Sequence, residues 1–365
     1  MKIKVEEIHT DTNEIKSDDP EPPGCHKVGI TYNLKKNISS ELPDAEAEFD
    51  DMDTIKAIQN ALESAGYTVV LYEATEDLPA RLLQNRPDMV FNVAEGSRGR
   101  GREAQVPAIL SFLDIPYTGS DETTLGIAMD KAITKRLTAS WGVDTPRYRV
   151  FKSSGIIPDA GSLNGNGFSW PVIVKPNTEG SSKGISDVSV ANDAAALQRV
   201  LAEKISTYKE DMLVEEYISG REFTVGILGN GAALRVFTPM EIVFGDKSHS
   251  IYSYEVKRNF RQFVRYECPP NIGLDLQNEM EETAKTVYNA LECRDLARMD
   301  FRLSPDGKLF FIEINPLPGL APGYSDFPML AGFCGMDYTT LILNILESAL
   351  TRYGLRHHRS QSMAE

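Results

Sequence analysis

The chain has 365 residues, of which 41% are hydrophobic, and its formal net charge is -15 at pH 7. This length allows a large core and two or three domains, and the acidic charge argues against nucleic acid as a general partner, because phosphate binding needs lysines and arginines clustered over a broad face. Four widely spaced cysteines without a CxxC pair indicate neither a zinc site nor a disulfide framework, and no apolar run approaches the roughly 20 residues of a membrane span.

The two ends of the chain are predicted to be tails. Residues 1–26 are rich in Asp, Glu and Pro and cannot bury enough apolar surface to become ordered, so we expect a disordered acidic tail there. Residues 356–365 form a second, shorter tail. The acidic, polar start does not resemble a signal peptide, and we therefore expect a cytoplasmic protein with reduced thiols.

From residue 27 onward, short β-rich runs alternate with helical runs, a pattern typical of a parallel α/β sheet. Residues 28–32 predict the first strand. Ile55, Ile58, Leu62 and Ala65 share one helical face, which ends at Gly66. Strands at 68–72 and 89–92 and a helix at 104–113 follow, and the turn at 116–120 ends the first domain.

The rest of the chain continues this alternation. Residues 131–141 predict a helix, 146–151 an extended segment, 161–167 a polar loop and 171–176 an apolar strand. A loop of small residues follows at 178–184. Further strands are predicted at 212–216, 222–228, 298–303 and 309–315, with Pro305-Asp306-Gly307 as the turn between the final two.

The final hairpin carries the most informative polar residues. Alternation along its first strand places Arg298, Asp300 and Arg302 on one face. On its second strand, Glu313 and Asn315 share one face. If the strands pair, two carboxylates and an amide oxygen converge, and such hard oxygen ligands suit Mg²⁺ bound with nucleotide phosphates. The alternative is a solvated face with one salt bridge.

Two lysines lie in segments suited to phosphate. Lys175 ends an apolar strand and precedes the loop 178–184, where backbone N–H groups freed by small residues can surround phosphate oxygens. Lys131, in Met129-Asp130-Lys131, adds a second positive charge. Each has an ordinary alternative, which is a mobile turn for the loop and an exposed helix residue for Lys131.

Residues 214–224 lie between these lysines and the hairpin. A strand edge followed by a turn can bind adenine through backbone groups, while Glu215 and Glu222 can accept hydrogen bonds from the amino group and the ribose hydroxyls. Without its neighbours, the segment is ordinary amphipathic sequence.

Together and in this order, these segments resemble the ATP-grasp superfamily and, within it, the D-alanine–D-alanine ligases. The resemblance runs from about residue 27 to residue 352. Its most specific pieces are Pro116-Tyr117-Thr118-Gly119-Ser120, Met129-Asp130-Lys131, Val174-Lys175-Pro176, Glu179-Gly180-Ser181-Ser182, Glu222-Phe223-Thr224-Val225, Arg298 with Asp300, Glu313-Ile314-Asn315 and Pro318-Gly319.

The resemblance implies three α/β domains, at residues 27–125, 126–212 and 213–355, with ATP between the second and the third. It implies an enzyme that activates a carboxylate as an acyl phosphate and joins it to an amine, with amino acids as substrates. Two Mg²⁺ ions, for which Mn²⁺ can substitute, and a homodimer are implied as well.

The resemblance also implies a role for each matched residue. The loop 179–184 would close over the γ-phosphate. Arg298 and the backbone N–H of Gly319 would stabilise the tetrahedral oxyanion, and Ser181 and Glu46 would complete the catalytic set. The metal ligands would be Asp300, Glu313 and Asn315. The ATP-binding residues would be Lys131, Lys175, Glu179, Gly180, Ser181, Ser182, Glu215, Glu216, Ile218, Glu222 and Lys257.

The substrate-binding segments depart from the family pattern. Glu46 is the nearest match to the glutamate that binds the first ammonium group, and Glu48 is its rival. Glu95-Gly96 stands where the family has His-Gly. Lys257-Arg258 replaces a Lys-Tyr pair. The serine-rich segment for the second carboxylate becomes residues 320–326, in which Tyr324 and Ser325 are the candidates.

Arg98, Arg100 and Arg102 replace neutral or acidic positions of the family and allow two interpretations. The loop 95–103, with Arg258, can bind an acidic or larger substrate, because guanidinium groups bind carboxylates in bidentate fashion. Alternatively, these arginines are solvated or pair with Glu95 and Glu103.

The sequence therefore predicts a ligase of this family. One alternative is a ligase of specialised metabolism that acts on a larger or acidic substrate. A second is a nucleotide-binding regulatory protein without turnover, against which the intact candidate lysines, metal ligands and oxyanion arginine weigh.

Overall fold

The computed structural model describes residues 24–36, 46, 48–163, 168–180, 189–245 and 264–357. The first part of the chain contains β1 Gly24–Cys25, β2 Lys27–Tyr32, α1 Met52–Ser64, β3 Thr68–Glu73, α2 Leu78–Gln84, β4 Met89–Asn92, α3 Gln105–Phe112 and α4 Glu122–Met129.

The first sheet is parallel, as predicted, with the strand order β3-β2-β4. Val28 and Ile30 of its central strand are fully buried. The predicted helical face of α1 is confirmed, because Ile55, Ile58 and Leu62 are also fully buried in the same core. Burial of this apolar stripe against the sheet stabilises α1 in place.

The middle part contains α5 Lys131–Ser140, β5 Tyr148–Phe151, α6 Ala160–Leu163, β6 Val172–Pro176, β7 Val190–Ala191, α7 Ala194–Tyr208 and β8 Met212–Glu216. Its four strands form a separate sheet with the order β5-β8-β6-β7, and each neighbouring pair is antiparallel. The expectation of a parallel sheet is therefore wrong here. β8 belongs to this sheet and ends at Glu216, whereas the second domain was predicted to end at residue 212. The domain boundaries remain predictions.

The last part contains β9 Arg221–Leu228, β10 Arg235–Val236, β11 Met240–Phe244, β12 Val264–Glu267, α8 Leu274–Ala290, β13 Leu296–Leu303, β14 Leu309–Asn315, α9 Asp326–Phe333, α10 Tyr338–Tyr353 and β15 Arg356–His357. Its antiparallel sheet has the order β12-β11-β9-β13-β14, and β10 pairs with β9. The predicted hairpin is confirmed as β13 and β14.

The inner ends of both predicted tails are ordered. Gly24 pairs with Arg356 and Cys25 with His357, so β1 and β15 form a two-stranded parallel sheet. The other residues of the predicted tails, 1–23 and 358–365, lie outside the described residues. Among the described residues, no single helix is long and apolar enough to cross a membrane. Only α9 and α10 taken together reach the length and apolar composition that a span requires, and this pair is bent by 106°.

Asp295 joins the first part of the chain to the last. It is fully buried, and its carboxylate accepts hydrogen bonds from the backbone N–H of Gly119 at 2.8 Å, from Asn230 at 2.6 Å and from Arg352 at 2.8 Å. Arg352 also donates to the carbonyl oxygen of Tyr117 at 2.9 Å. This network holds the turn at residues 116–120, which follows α3, against α10.

We expect Asp295→Ala to lower the free energy of unfolding by about 3–5 kcal/mol, because the substitution leaves the partly buried Arg352 guanidinium and the Gly119 N–H without their carboxylate partner. Urea unfolding followed by circular dichroism measures the effect. Asp306→Ala, in the exposed turn between β13 and β14, is the control and should change stability by less than about 0.5 kcal/mol. Equal effects of the two substitutions would contradict the assignment.

Candidate active site

The predicted convergence on the final hairpin is confirmed. Asp300 lies directly opposite Glu313, and Arg298 lies opposite Asn315. Directly opposed residues of an antiparallel pair share a face, so the two carboxylates and the amide project to the same side of the sheet. Arg298 forms a bidentate ion pair with Asp300, with N–O distances of 3.1 and 2.9 Å, and lies 3.4 Å from Asp326. The alternative of a solvated face with one salt bridge is therefore wrong.

The donor set of this face fits a magnesium site. Within the described part of the chain, no group of three or more His, Cys, Asp or Glu side chains is arranged to hold a metal ion. The hairpin itself offers two carboxylates and one amide. The side-chain nitrogen of Asn315 is buried and has no hydrogen-bond partner among the described residues. One or two carboxylates, completed by phosphate oxygens and water, are the usual protein contribution to a Mg²⁺ site at a nucleotide.

Lys131 is buried and faces the hairpin, so the interpretation as an exposed helix lysine is wrong. It begins α5, which Asp130 caps by accepting from the backbone N–H of Ile133. Its Nζ lies 3.6 Å from Glu313 Oε2 and donates to the carbonyl oxygen of Glu179. Burial opposes ionisation of Glu313, but the positive charges, led by those of Lys131 and Lys175, lower its pKa to about 2.

Lys175, at the end of β6, is buried with a partner that the sequence did not predict. Its Nζ lies 2.5 Å from Glu215 Oε1, and the Nζ of Lys135 lies 3.0 Å from Glu215 Oε2. Burial lowers the pKa of Lys135 to about 8, against the opposing charge of Glu215. Lys135 was missed, although its position four residues after Lys131 places both on one face of α5.

The predicted adenine and ribose carboxylates are both ion-paired in the structure. Glu215 is buried between the two lysines, so an adenine contact from this side chain would compete with them. Glu222 accepts from Arg302 at 2.6 Å, and Arg302 also donates to the carbonyl oxygen of Ile218 at 3.1 Å. Glu216 accepts from the backbone N–H of Ser169 at 2.8 Å. The nucleotide-binding roles of Glu215, Glu216, Ile218 and Glu222 remain predictions.

A cavity of about 340 Å³ opens beside Arg298. It is lined by the predicted substrate residues Glu95, Gly319, Tyr324 and Ser325, among others. A side chain at Gly319 would place its Cβ 2.8 Å from Ser325 Oγ, so only glycine fits this approach without a shift. Ser325 Oγ in turn accepts from the backbone N–H of Ala321 at 3.1 Å, which fixes this loop. The cavity therefore brings the predicted oxyanion pair and the predicted substrate loop together.

Glu48 lines this cavity, whereas Glu46 does not. Glu46 instead accepts from the backbone N–H of Lys36 at 3.1 Å. The Glu48 side chain is only 4% exposed and forms a bidentate ion pair with Arg102. The geometry thus favours the rival, Glu48, over Glu46 as the residue at the substrate cavity.

Two arginines of the loop 95–103, Arg100 and Arg102, pair with carboxylates of the protein itself. Arg102 is buried against Glu48 and Glu179. Arg100 is exposed and lies 3.2 Å from Asp130, and the Arg98 side chain is exposed as well. The three side chains are absent from the described lining of the cavity. The carboxylates that pair with Arg100 and Arg102 are Asp130, Glu48 and Glu179 rather than the predicted Glu95 and Glu103, and the exposed Arg98 agrees with the solvated alternative.

The described cavity wall is rich in carboxylates. Burial, reinforced by the charge of Glu48, raises the pKa of Glu103 to about 8, and burial raises the pKa of Asp50 to about 7. Burial followed by the charges of Glu103, Glu48 and Asp50 raises the pKa of Glu95 as well. Ligand groups that carry positive charge are therefore electrostatically favoured here over groups that carry negative charge.

Four predicted site residues, Ser181, Ser182, Lys257 and Arg258, lie outside the described residues. The same holds for residues 181–184 of the predicted closing loop. The described part of that loop ends with Glu179 and Gly180. Both line a smaller pocket around Lys131 and Glu313, and Gly180 also lines the cavity.

A chain whose middle sheet and adjoining helix direct lysines toward a carboxylate hairpin of the next sheet has the architecture of the ATP-grasp fold. Solved structures agree with this fold. D-alanine–D-alanine ligase from Bacillus anthracis complexed with ATP is similar with a TM-score of 0.69 and 23% identity, over 90% of this chain and 98% of that chain. The ligase from Coxiella burnetii gives a TM-score of 0.67 at 19% identity, over 90% and 95%.

Sequence comparison gives the family. The family model for the D-ala D-ala ligase C-terminus matches residues 137–347. D-alanine–D-alanine ligase of Aquifex aeolicus is 35% identical over 295 residues, which cover 80% of this chain and 93% of that protein. An uncharacterised protein of Sinorhizobium fredii is 33% identical over 301 residues, 80% of this chain and 86% of its own length. The chain belongs to the D-alanine–D-alanine ligase family and is an ATP-dependent ligase that forms a peptide bond.

Proposed function

We propose that this chain joins two molecules of D-alanine, with release of ADP and phosphate. One observation carries the proposal: the cavity beside Arg298 and the pocket around Lys131 and Glu313 share the wall residues Gly180 and Asn315. A carboxylate in the cavity would therefore lie next to a phosphoryl group in the pocket. Much of the rate acceleration of such a transfer comes from holding the two reactants next to each other in the correct orientation.

In the first step, an oxygen of the donor carboxylate attacks the γ-phosphorus of ATP, and ADP leaves. The charges of Lys131 and Lys175 would offset the negative charge of the transferred group. The ion pair between Lys175 Nζ and Glu215 Oε1, at 2.5 Å, fixes the position of the lysine at the end of β6. Two Mg²⁺ ions held by Asp300, Glu313 and Asn315 would supply further charge neutralisation when bound.

In the second step, the amine of the acceptor attacks the carbonyl carbon of the acyl phosphate. The bond between the carbonyl carbon and the phosphate oxygen breaks, and phosphate leaves as HPO₄²⁻ with the proton that the attacking nitrogen loses. Arg298 and the backbone N–H of Gly319, both on the cavity wall, would donate to the oxyanion of the tetrahedral intermediate. Glu48, also on the cavity wall, would bind the donor ammonium group. A loop that begins at residue 178 would exclude water from the acyl phosphate.

The described wall disfavours an acidic substrate. Burial, and for Glu95 and Glu103 the neighbouring carboxylates, already raise the pKa values of Asp50, Glu95 and Glu103, so a second substrate carboxylate placed beside them would be destabilised in the same way. Arg102, which could have attracted such a group, is bound to Glu48 and Glu179. D-alanine therefore ranks above the acidic or larger substrate that the arginines had suggested.

We expect D-alanine to raise phosphate release from Mg·ATP at least about tenfold over the rate without an amino acid, while D-aspartate and D-glutamate have little effect. L-alanine tests stereochemistry, and mass spectrometry identifies the product. An acidic amino acid as the best donor would contradict the substrate assignment. ATP hydrolysis that responds to no amino acid would instead favour the nucleotide-binding regulatory alternative. The homodimer and the cytoplasmic location remain predictions.

A further inference from the structure

Arg102 is directed into the protein by the backbone of its loop. It begins a single 3-10 turn, Arg102–Ala104, between β4 and α3. Gly96 has a φ of +73°, and a Cβ on it would lie 2.0 Å from the carbonyl oxygen of Arg102. Only glycine allows this approach. The loop therefore has a defined shape, and the Arg102 side chain at its end is 7% exposed.

The Arg102 guanidinium binds two different parts of the chain. Its Nε and Nη2 donate to the Glu48 carboxylate at distances between 2.6 and 3.0 Å. Its Nη1 donates to the carbonyl oxygen of Thr178 at 2.9 Å, and its Nη2 donates to Glu179 Oε2 at 3.0 Å. The Glu48 carboxylate also accepts from the backbone N–H of Gly180 at 2.8 Å. One ion pair thus connects the substrate cavity with residues 178–180.

Residues 178–180 are in turn connected to the phosphate pocket. The carbonyl oxygen of Glu179 accepts from Lys131, and Thr178 donates to Glu210 at 2.8 Å. Any shift of the Glu48 carboxylate would change the hydrogen bonds of Gly180 and Arg102, and through them the position of the segment that holds Lys131. Arg102 is suited to this connection because its planar fork makes several bonds in fixed directions, which a lysine cannot do.

We propose that Arg102 is a positioning residue that couples the amino-acid cavity to the ATP pocket. An ammonium group bound to Glu48 changes the hydrogen bonds that the Glu48 carboxylate accepts from Arg102 and Gly180. The bound amino acid and the bound nucleotide therefore favour the same arrangement of residues 178–180. By linkage, each ligand then tightens the binding of the other by the same factor. The proposal rests on the function proposed above, since it requires an amino acid in the cavity.

The test measures binding of a non-hydrolysable ATP analogue, adenylyl imidodiphosphate with Mg²⁺, by titration calorimetry with and without D-alanine. In the unmodified chain we expect D-alanine to tighten analogue binding by at least about fivefold, within the usual range for coupled sites. In Arg102→Lys we expect this factor to fall below about twofold, while the affinity for the analogue alone changes less than about threefold. If Arg102 only stabilised the fold, its replacement would not lower the coupling factor while leaving the affinity for the analogue alone nearly unchanged.

Arg98→Lys is the matched control, because Arg98 lies in the same loop with an exposed side chain, and it should keep the full coupling factor. If Arg102→Lys does not fold, Arg102→Gln, which keeps an amide donor at the same position without the charge, provides the same measurement. Full coupling in Arg102→Lys, or its absence in the unmodified chain, would overturn the proposal. Amino-acid-dependent ATP turnover in the unmodified chain is measured separately, so a failure of the proposed function is recognised independently.

Discussion

Asp300→Asn and Glu313→Gln should each reduce ATP turnover by at least about a thousandfold, equivalent to about 4 kcal/mol in the barrier. Both substitutions keep the size of the side chain and remove its charge. The two carboxylates face each other across β13 and β14, and the low pKa of Glu313 keeps it ionised over the whole physiological range. An amide cannot replace that charge toward Mg²⁺.

Steady-state phosphate release with D-alanine measures the effect, and thermal unfolding shows whether each variant folds. Asp306→Asn, in the exposed turn of the same hairpin, is the matched control and should retain full activity. Raising the Mg²⁺ or Mn²⁺ concentration should partly restore the two site variants if their defect is weaker metal binding. Normal turnover in either variant would show that the metal assignment is wrong.

The hairpin site could be predicted from the sequence because it depends on local rules. Alternation in β13 and β14 and the turn at Pro305-Asp306-Gly307 determine which side chains share a face. The irregularity after Asp300, where the register shifts, left the pairs of Arg298 with Asn315 and of Asp300 with Glu313 in place. Local periodicity was therefore sufficient to predict where the candidate metal ligands lie on the hairpin.

Strand direction could not be predicted in the same way. The alternation of strands and helices predicted parallel pairing outside the final hairpin, but among the described sheets only β3-β2-β4 and the two-stranded β1-β15 sheet are parallel. In the middle sheet, β6 pairs with β8 across the whole of α7. Such pairing is decided by contacts between distant segments, which one strand's periodicity does not contain.

The residues around the cavity show the same limit. Glu46 and Glu48 lie in one irregular segment, and the inward direction of Glu48 depends on Arg102, 54 residues away. Lys135 was missed because a buried lysine is rare unless it is paired. Its partner Glu215 comes from β8, on a different element. Side chains whose positions depend on a distant ion pair are thus the ones that the sequence pattern could not identify.

Arg298→Lys should lower kcat by about a hundredfold to a thousandfold, the usual effect of removing one oxyanion donor. Lysine keeps the positive charge near Asp300 and Asp326 but loses the planar fork that binds Asp300 through two nitrogens. Because the donor acts on charge that develops only in the transition state, the KM values for ATP and D-alanine should change by much less than kcat. Steady-state kinetics in both substrates measures this difference.

Arg302→Lys provides the contrast on the same strand. Arg302 is buried and binds Glu222 and the carbonyl oxygen of Ile218, in the segment predicted to contact the nucleotide, rather than the cavity. Its replacement should therefore raise the KM for ATP with a smaller effect on kcat. If Arg298→Lys changed KM instead and left kcat intact, Arg298 would only bind the ground state, and the oxyanion would have to be stabilised elsewhere. The opposite responses of two arginines four residues apart would separate stabilisation of the transition state from nucleotide binding.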